Sequence, residues 1–213
     1  MAELTERPLR ADAQRNRDRL LEVAVRAFSQ DGPDVTLDAI AKSAGVGIGT
    51  LYRHFPSREA LVEAAYRSEL ARLCDAAADL LDALPADEAM RTWMDRFVDY
   101  MTTKRGMADA LRAVIASGGN PYEQSRSRLT AAVTMLLAAG AAAGTIRRDV
   151  EPGDVFASLG GISLTSGGSG GSLPQASTSG EPAQRDQARR LLDLLMDGLR
   201  YTAPGAPPPS RGS

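Results

Sequence analysis

Three glycines within five residues, Gly45, Gly47 and Gly49, lie between two short segments that have the apolar spacing of helices. An aromatic and basic sequence, Tyr-Arg-His-Phe, begins three residues after the last of them. Glycine at this density indicates a sharp turn, or another molecule that lies against the backbone. That molecule could be a nucleotide phosphate, a catalytic intermediate or the backbone of DNA, and each would require different neighbouring residues.

Nucleotide-binding and catalytic patterns do not match this region. A dinucleotide fingerprint would need a glycine at Thr50 and a strand before Gly45, but the preceding residues have helical spacing. A phosphate-binding loop would need Gly-Lys-Ser or Gly-Lys-Thr, which the sequence lacks. The chain has one histidine, His54, one cysteine, and no Gly-x-Ser-x-Gly elbow between a strand and a helix. We therefore expect no catalytic residue, no metal and no cofactor.

The composition favours closely packed helices. Alanine is abundant and β-branched residues never cluster in alternating runs, so the sequence predicts an all-α protein. The single cysteine excludes an intrachain disulfide. No apolar run has the length of a membrane span, and residues 1–20 lack the apolar core of a signal peptide, so we expect a cytoplasmic protein with no membrane partner. Residues 7–19 contain five arginines and two aspartates, which fits either an anionic partner or a solvated helix face.

Apolar spacing and chain breaks predict where the helices lie. Thr36 is the expected N-cap of the second helix, Gly45 the left-handed residue after it, and Ser57 the cap of the fourth helix. Cys74 falls in the apolar stripe of the fourth helix, so we expect a buried small residue there. The predicted helices are 11–30, 37–44, 48–54, 57–84, one around 90–101, one around 107–115, 122–143, 154–164 and 183–201.

Residues 37–54 meet the requirements of a helix-turn-helix. Ala41 is small where the two helices would cross, and Gly45 permits the turn between them. The helices would be locked together by Leu37, Ile40, Val46 and Leu51. A helical hairpin in a core would explain these features, but not three glycines followed by an exposed Tyr-Arg-His cluster. We therefore favour DNA as the molecule that lies close to the glycines.

The second helix of this motif offers groups that suit a DNA groove. Gly47 and Gly49 would let its start lie against the duplex, and Ile48 could contact a thymine methyl group. Phosphate contacts would come from the donors Thr50, Tyr52 and His54 and from the cations Lys42, Arg53 and Arg58.

Two stretches resemble the TetR family of bacterial transcriptional regulators. They are RLLEVAVRAFSQDG at residues 19–32 and VTLDAIAKSAGVGIGTLYRHFPSREAL at residues 35–61, followed by the long fourth helix. Gly47 departs from the pattern of the TetR family, which commonly has serine or another side chain able to reach DNA at this position. Base readout would therefore rest on Ile48 and Thr50.

The resemblance implies an all-α homodimer with two domains. Residues 1–56 would form a helix-turn-helix DNA-binding domain, and residues 57–201 an effector-binding and dimerisation domain. From their composition, we expect residues 166–182 of the second domain to be a flexible loop, natural or engineered, and residues 202–213, which follow that domain, to be a disordered tail. Carried onto this chain, the phosphate or base contacts are Thr36, Lys42, Thr50, Tyr52, His54 and Arg58. The last two helices would form the dimer interface through Phe156, Leu159, Leu191, Leu192, Leu195 and Leu199.

The sequence defines the effector site implied by the resemblance less well than it defines the DNA contacts. Residues that could line a cavity, or could be plain core, are Trp93, Met94, Phe97, Tyr100, Met101, Met107, Leu111, Tyr122 and Met135. Trp93 and Tyr100 are the better candidates because each joins a large ring to one polar group. No buried charge pair or metal-binding set is evident, which favours a small neutral, apolar or aromatic ligand.

These observations predict a ligand-responsive transcriptional regulator. It would be a repressor that binds a near-palindromic double-stranded DNA operator as a homodimer and is released when a small-molecule effector shifts the conformational population. The change would pass through the helix at residues 57–84. Two alternatives remain: a dimeric small-molecule-binding helical protein without specific DNA binding, and an enzyme of unrecognised type that uses His54.

Overall fold

The computed structural model describes residues 3–31, 34–165 and 181–200, and these residues form nine α-helices and no strand. The prediction of an all-α protein is confirmed. The helices are α1 Glu3–Gln30, α2 Leu37–Ser43, α3 Ile48–His54, α4 Arg58–Ala83, α5 Ala86–Gly106, α6 Ala108–Ala116, α7 Ser125–Ala143, α8 Pro152–Thr165 and α9 Glu181–Arg200. Within the described ranges, none of these helices is long and apolar enough to cross a membrane.

The turn between α2 and α3 has the geometry that its sequence predicts. Thr36 caps α2, because its Oγ1 accepts a hydrogen bond from the backbone N–H three residues on, at 3.2 Å. Gly45 has a φ of +68°, a left-handed conformation that glycine adopts without steric cost. The Val46 N–H then donates to the Ala41 carbonyl at 3.0 Å. Helix α3 therefore begins at Ile48, as predicted.

Helix α1 supports both short helices. Its apolar side, which includes Leu20, Ala24 and Phe28, is buried, and the helix packs against α2 and α3. The Arg19 guanidinium lies 3.4 Å from the carbonyl oxygen of Ala44, at the C-terminus of α2. Helices of seven residues are not stable alone, so α2 and α3 depend on this packing for their position.

Several helices start at residues other than those predicted, and α5 begins at Ala86 rather than around residue 90. Helix α1 begins at Glu3 rather than at residue 11, and α7 begins at Ser125 rather than at residue 122. Gln124 has a left-handed φ of +62°, which is incompatible with a helix running through it and explains the later start of α7. Helix α8 begins at Pro152, because proline suits a first turn whose N–H groups have no intrahelical partner.

Helix α9 takes in two residues that the sequence assigned to the loop at 166–182. It begins at Glu181, whereas the prediction was residue 183. The rest of the predicted loop, Tyr201 and the predicted tail at 202–213 lie outside the described residues.

The chain divides into two compact units that are discontinuous in sequence. The first consists of Met1–Leu73 and Asp99–Arg126, and the second of Cys74–Val98 and Ser127–Ser213. The first unit therefore contains the helix-turn-helix together with the end of α5 and all of α6. Helices α4 and α5 contribute residues to both units. The domain bounds of 1–56 and 57–201 follow a different division and stay a prediction.

Candidate nucleic-acid interface

Helix α3 exposes large side chains beside bare backbone. Tyr52 is 49% exposed and Ile48 is 37% exposed, whereas Leu51 is fully buried against the chain. Gly47 and Gly49 are also exposed. An aromatic ring, a branched apolar side chain and uncovered backbone on one short helix indicate a contact surface for another molecule.

Nothing inside the described chain requires glycine at positions 47 and 49. A Cβ atom at either residue would meet no other atom within 4 Å, and neither residue has a positive φ. Gly49 is in the first turn of α3, where glycine lowers stability relative to alanine by up to about 1 kcal/mol, whereas Gly47 is the N-cap, a position that glycine commonly occupies. A molecule that approaches α3 from outside would explain Gly49 and would also fit against Gly47.

The other predicted contacts on α2 and α3 are exposed to different degrees. Lys42 and Arg53 are exposed, whereas Thr50 and His54 are half-buried. Thr36 is exposed and caps α2 with its oxygen, so its hydroxyl proton can still be donated to a phosphate. All five residues thus lie on or beside the surface of the helix-turn-helix.

Arg58 has a structural position that the sequence did not indicate. Its guanidinium donates to the Val35 carbonyl and lies 4.9 Å from the centroid of the Phe28 ring. These contacts tie the start of α4 to the end of α1 and to the segment before α2. The Arg58 guanidinium is thus half-buried and partly engaged within its own chain, and its contact with DNA stays a prediction.

The arginines of residues 7–19 are partly engaged within the chain. Arg15 forms an ion pair with Asp12, and the Arg17 guanidinium lies 5.6 Å from the centroid of the Phe55 ring. Arg19 supports the C-terminus of α2, as described above. The side chains of residues 3–11 lie outside the described part of the structure. An anionic partner for this segment stays a prediction.

Comparison with known families identifies both parts of the chain. Residues 20–65 match the family described as bacterial regulatory proteins, tetR family. Residues 85–201 match the family described as transcriptional regulator SbtR-like, C-terminal domain. The second match alone covers more than half of the chain. The chain belongs to the TetR family.

Solved TetR-family structures resemble this protein over most of its length. The TetR transcriptional regulator SCO0520 from Streptomyces coelicolor is 57% identical, with a TM-score of 0.78, over 88% of this chain and 99% of that chain. The TetR transcription regulatory protein from Mycobacterium vanbaalenii is 34% identical, with a TM-score of 0.71, over 91% of this chain and 100% of that chain. This chain is therefore a TetR-family transcriptional regulator, a class that is generally not enzymatic.

HTH-type transcriptional regulators of Staphylococcus aureus match only part of the chain. SAUSA300_2515 is 43% identical over 54 residues, which is 25% of this chain and 29% of that protein. SAB2452 is 28% identical over 107 residues, which is 49% of this chain and 58% of that protein. The chain thus spans less than two thirds of the length of these curated relatives, and what the whole protein binds is a matter for proposal.

The nine residues predicted to line an effector site are divided between the two units. Five belong to the first unit and four to the second: Tyr100, Met101, Met107, Leu111 and Tyr122, then Trp93, Met94, Phe97 and Met135. Trp93 and Tyr100, the two favoured candidates, are almost fully buried. Met135 is 47% exposed on α7, which does not suit a residue that lines an enclosed cavity.

A chain of buried hydroxyl groups lies in the first unit. The Tyr100 hydroxyl donates to the Tyr66 oxygen at 2.7 Å, and the Tyr66 oxygen lies 3.4 Å from Ser125 Oγ. The Tyr122 ring stands edge-on to the Tyr66 ring at 5.3 Å, and Lys104 Nζ lies 4.6 Å from the Tyr122 centroid. Burial raises the pKa of the Tyr122 phenol. The polar group for which Tyr100 was favoured is thus engaged with its own chain.

An aromatic cluster lies in the second unit. The ring centroids of Trp93 and Phe97 are 5.7 Å apart, and those of Phe97 and Phe156 are 6.0 Å apart. Phe156, which the sequence predicts as a dimer contact, therefore packs on an aromatic ring of its own chain.

Helix α9 has two apolar sides, and only one of them is open to a partner. The side buried in the chain itself consists of Ala188, Leu192, Met196 and Leu199. The outward side consists of Leu191, Leu194 and Leu195, of which Leu194 is 67% exposed. Leu159 on α8 is fully buried as well. We therefore correct the predicted dimer interface: Leu159, Leu192 and Leu199 are core residues of the chain, where a partner cannot contact them.

Leu194 was missed although the sequence contains a signal for it. It follows Leu191 by three residues, the spacing of neighbours on one helix side. Leu164 on α8, which is 69% exposed, was not predicted as a surface residue either.

An open cavity of about 350 Å³ lies between α8, α9 and the loop before α8. Its lining includes Arg147, Asp149, Asp154, Ser158, Leu194 and Leu195. The Arg147 side chain donates two hydrogen bonds of 2.6 Å to the Asp149 carboxylate. They lower the pKa of Asp149 from 3.8 to about 2. Because Leu194 and Leu195 belong to the outward side of α9, the cavity is continuous with that side.

Cys74 does not resemble a reactive thiol. It is half-buried, and burial raises its pKa, although the nearby Arg128 acts in the opposite direction. A protonated thiol is a poor nucleophile. Among the described residues, no group of three or more His, Cys, Asp or Glu side chains could hold a metal ion.

Proposed function

We propose that this protein is a homodimeric repressor that leaves a near-palindromic DNA operator when a small effector binds. The observation that carries the proposal is the uncovered backbone of α3, where a Cβ atom at Gly47 or Gly49 would meet open space. Helix α3 of each protomer would lie in the major groove, with these glycines against the duplex. Because the operator is genomic DNA, we expect the protein to act in the cytoplasm.

The proposed DNA contacts divide between bases and phosphates. Ile48 would contact a thymine methyl group, and Thr50 a base edge or a phosphate. The other contacts would be to phosphates, from Thr36, Lys42, Tyr52, Arg53 and His54. Since phosphate contacts carry no sequence information, specificity would rest on Ile48, Thr50 and the shape of the operator.

The two protomers would associate through the outward sides of α8 and α9. Leu164 and Leu194 are 69% and 67% exposed, which is unfavourable unless another surface covers them. Gly161 and Gly198 are exposed, and a Cβ atom at either would meet open space, so partner helices could approach closely. Homodimers are typical of TetR-family regulators.

The effector would be a small apolar or aromatic molecule, in keeping with the fully buried apolar residues Met107 and Leu111 of the first unit. Its binding would favour a conformer in which the two copies of α3 no longer match the half-site spacing, so operator affinity would fall. Helix α4 would carry this change, because it contributes residues to both units.

Selection of a preferred duplex from a randomised DNA pool, followed by titration, tests the proposal. We expect the protein to bind the selected duplex about a thousandfold more tightly than a scrambled duplex. The preference should persist as the salt concentration rises, although both affinities fall. Equal binding of the two duplexes at every salt concentration would instead favour a dimeric small-molecule-binding protein that does not recognise DNA specifically.

A further inference from the structure

The end of α5 lies unusually close to the end of α1. A Cβ atom at Gly106, the last residue of α5, would lie 2.4 Å from the carbonyl oxygen of Ser29 and 2.9 Å from its Cα. Ser29 is in the last turn of α1, and both residues belong to the first compact unit. The contact is therefore one of backbone against backbone.

Close approach is the reason for glycine at position 106. Its φ is not positive, since the described glycines with a positive φ are Gly45, Gly118 and Gly144. Alanine would be favoured over glycine inside a helix if there were space for its side chain. Any side chain at position 106 would force α1 and α5 apart, because the atoms that it meets belong to the backbone and cannot rotate away.

On one side of this contact is α1, which supports α3, the proposed DNA recognition helix. Helix α1 packs against α2 and α3, and its Arg19 holds the C-terminal carbonyl of α2. Arg58 ties the start of α4 to Phe28, one residue before Ser29. A displacement of the last turn of α1 therefore changes the packing on which α3 depends.

On the other side of the contact is the start of α6. Met107 follows Gly106 directly, is 1% exposed, and accepts the first hydrogen bond of α6 from the Leu111 N–H at 2.9 Å. Met107 and Leu111 are both among the residues predicted to line the effector site. Gly106 thus stands between candidate effector residues and the helix that supports α3.

We propose that Gly106 is a positioning residue for operator recognition. The junction between α5 and α6 holds the end of α1 at a separation that only glycine permits, and the position of α3 follows from it. This inference rests on the proposed DNA-binding function. The effector region would then act on the recognition helix by two routes, one through α4 and one through the contact between Gly106 and the end of α1.

The Gly106→Ala variant tests this inference. Ordinary contact requires at least 3.4 Å, so the Ser29 backbone has to move by about 1 Å, twice the tolerance of about 0.5 Å for a well-organised binding site. For the duplex selected by the wild-type protein, we expect the affinity to fall about tenfold or more. For a scrambled duplex, we expect a change of less than about twofold, because phosphate contacts tolerate small displacements.

The ratio of the two affinities separates positioning from loss of folded protein. A variant that is merely less folded binds both duplexes less well in proportion, and its ratio is unchanged. Ser29→Ala is the matched control, because it removes the hydroxyl that donates to the Arg26 carbonyl but leaves the backbone contact intact. We expect Ser29→Ala to keep the wild-type ratio.

An unchanged ratio in folded, dimeric Gly106→Ala would overturn the inference. Should this variant not fold, the double variant Ser29→Gly, Gly106→Ala takes its place, because glycine at position 29 gives the backbone freedom to fold while the added methyl group still displaces the last turn of α1. An unchanged ratio in the double variant would overturn the inference equally. If the wild-type protein itself does not distinguish the two duplexes, the proposed DNA-binding function fails instead.

Discussion

The glycines near α3 and at the end of α5 differ in what surrounds them. At Gly106 the backbone of Ser29 occupies the space that a side chain would need. At Gly47 and Gly49 that space is empty. A filled space is explained by contacts inside the chain, whereas an empty one leaves room for a side chain or for another molecule. This difference separates a residue that positions α3 from residues that would meet the DNA.

Gly49→Ala should increase stability and weaken DNA binding at the same time. Alanine favours the helix, so we expect the free energy of unfolding in urea to rise by up to about 1 kcal/mol. The added methyl group would lie between α3 and the duplex, so we expect the affinity for the selected duplex to fall about tenfold. Fluorescence anisotropy measures this affinity.

Gly153→Ala is the control for that experiment. It makes the same chemical change in the first turn of α8, where a Cβ atom also meets open space. This control should keep wild-type affinity for the duplex. If Gly49→Ala also keeps wild-type affinity, α3 does not lie as close to DNA as we propose.

The pKa of Asp149 should depend on Arg147. Two hydrogen bonds from the Arg147 side chain lower this pKa to about 2, from 3.8. A lowered pKa stabilises the fold above pH 3.8, and this contribution is lost as the pH falls through about 2. In Arg147→Gln we expect the Asp149 pKa to return towards 3.8, as measured by NMR titration of the carboxyl carbon. A midpoint that stays near 2 would show that Arg147 is not the cause.

Among the elements, α2 and α3 could be predicted from sequence, but which side of α9 is buried in its own chain and which is exposed could not. Gly45 and Pro56 interrupt the chain chemically, so the bounds of α3 follow from local rules. Helix α9 carries leucines on two sides, and helical periodicity cannot tell the core of one chain from the surface between two. Gly106 was unpredictable for a related reason, because its partner Ser29 is distant in sequence and meets it only in the fold.

A chain of hydroxyl groups joins α4, α5 and the start of α7, and Tyr66 is its central member. Of its members, Tyr66 should contribute most to stability. Tyr66→Phe removes the acceptor of the Tyr100 hydroxyl and a neighbour of Ser125. Because these groups are buried, we expect a loss of about 1–3 kcal/mol in the free energy of unfolding. Ser125→Ala should cost less, since its contact is long at 3.4 Å.

Tyr122→Phe is the control for the hydroxyl chain. It removes a phenolic oxygen from a ring that is 38% exposed and packs edge-on against Tyr66, so we expect little change in stability. Urea denaturation followed by circular dichroism measures all three variants. A loss in Tyr122→Phe equal to that in Tyr66→Phe would show that the loss does not come from the buried hydrogen bonds of the hydroxyl chain.

For the whole molecule, the DNA and dimer proposals constrain each other. One helix of seven residues, α3, offers few base contacts, so a single protomer would recognise a short and common sequence. Two protomers related by a two-fold axis would read two half-sites about one helical turn apart, which makes the operator rare enough to be specific. On these two proposals, the outward leucines of α8 and α9 would be as necessary for operator recognition as the residues of α3.

Leu194→Glu should separate the protomers and halve the electrostatic part of DNA binding. A carboxylate at a 67% exposed position does not disturb the core, but it is unfavourable in an apolar interface between two chains. Light scattering should then report a monomer, and the slope of log affinity against log salt concentration should fall to about half, because one copy of α3 contacts half as many phosphates. Ile115→Glu makes the same change at a 48% exposed position on α6 and should leave the dimer and the slope unaltered. A dimeric Leu194→Glu protein would show that the protomers meet elsewhere. A monomer with an undiminished slope would show that phosphate binding does not come from paired copies of α3.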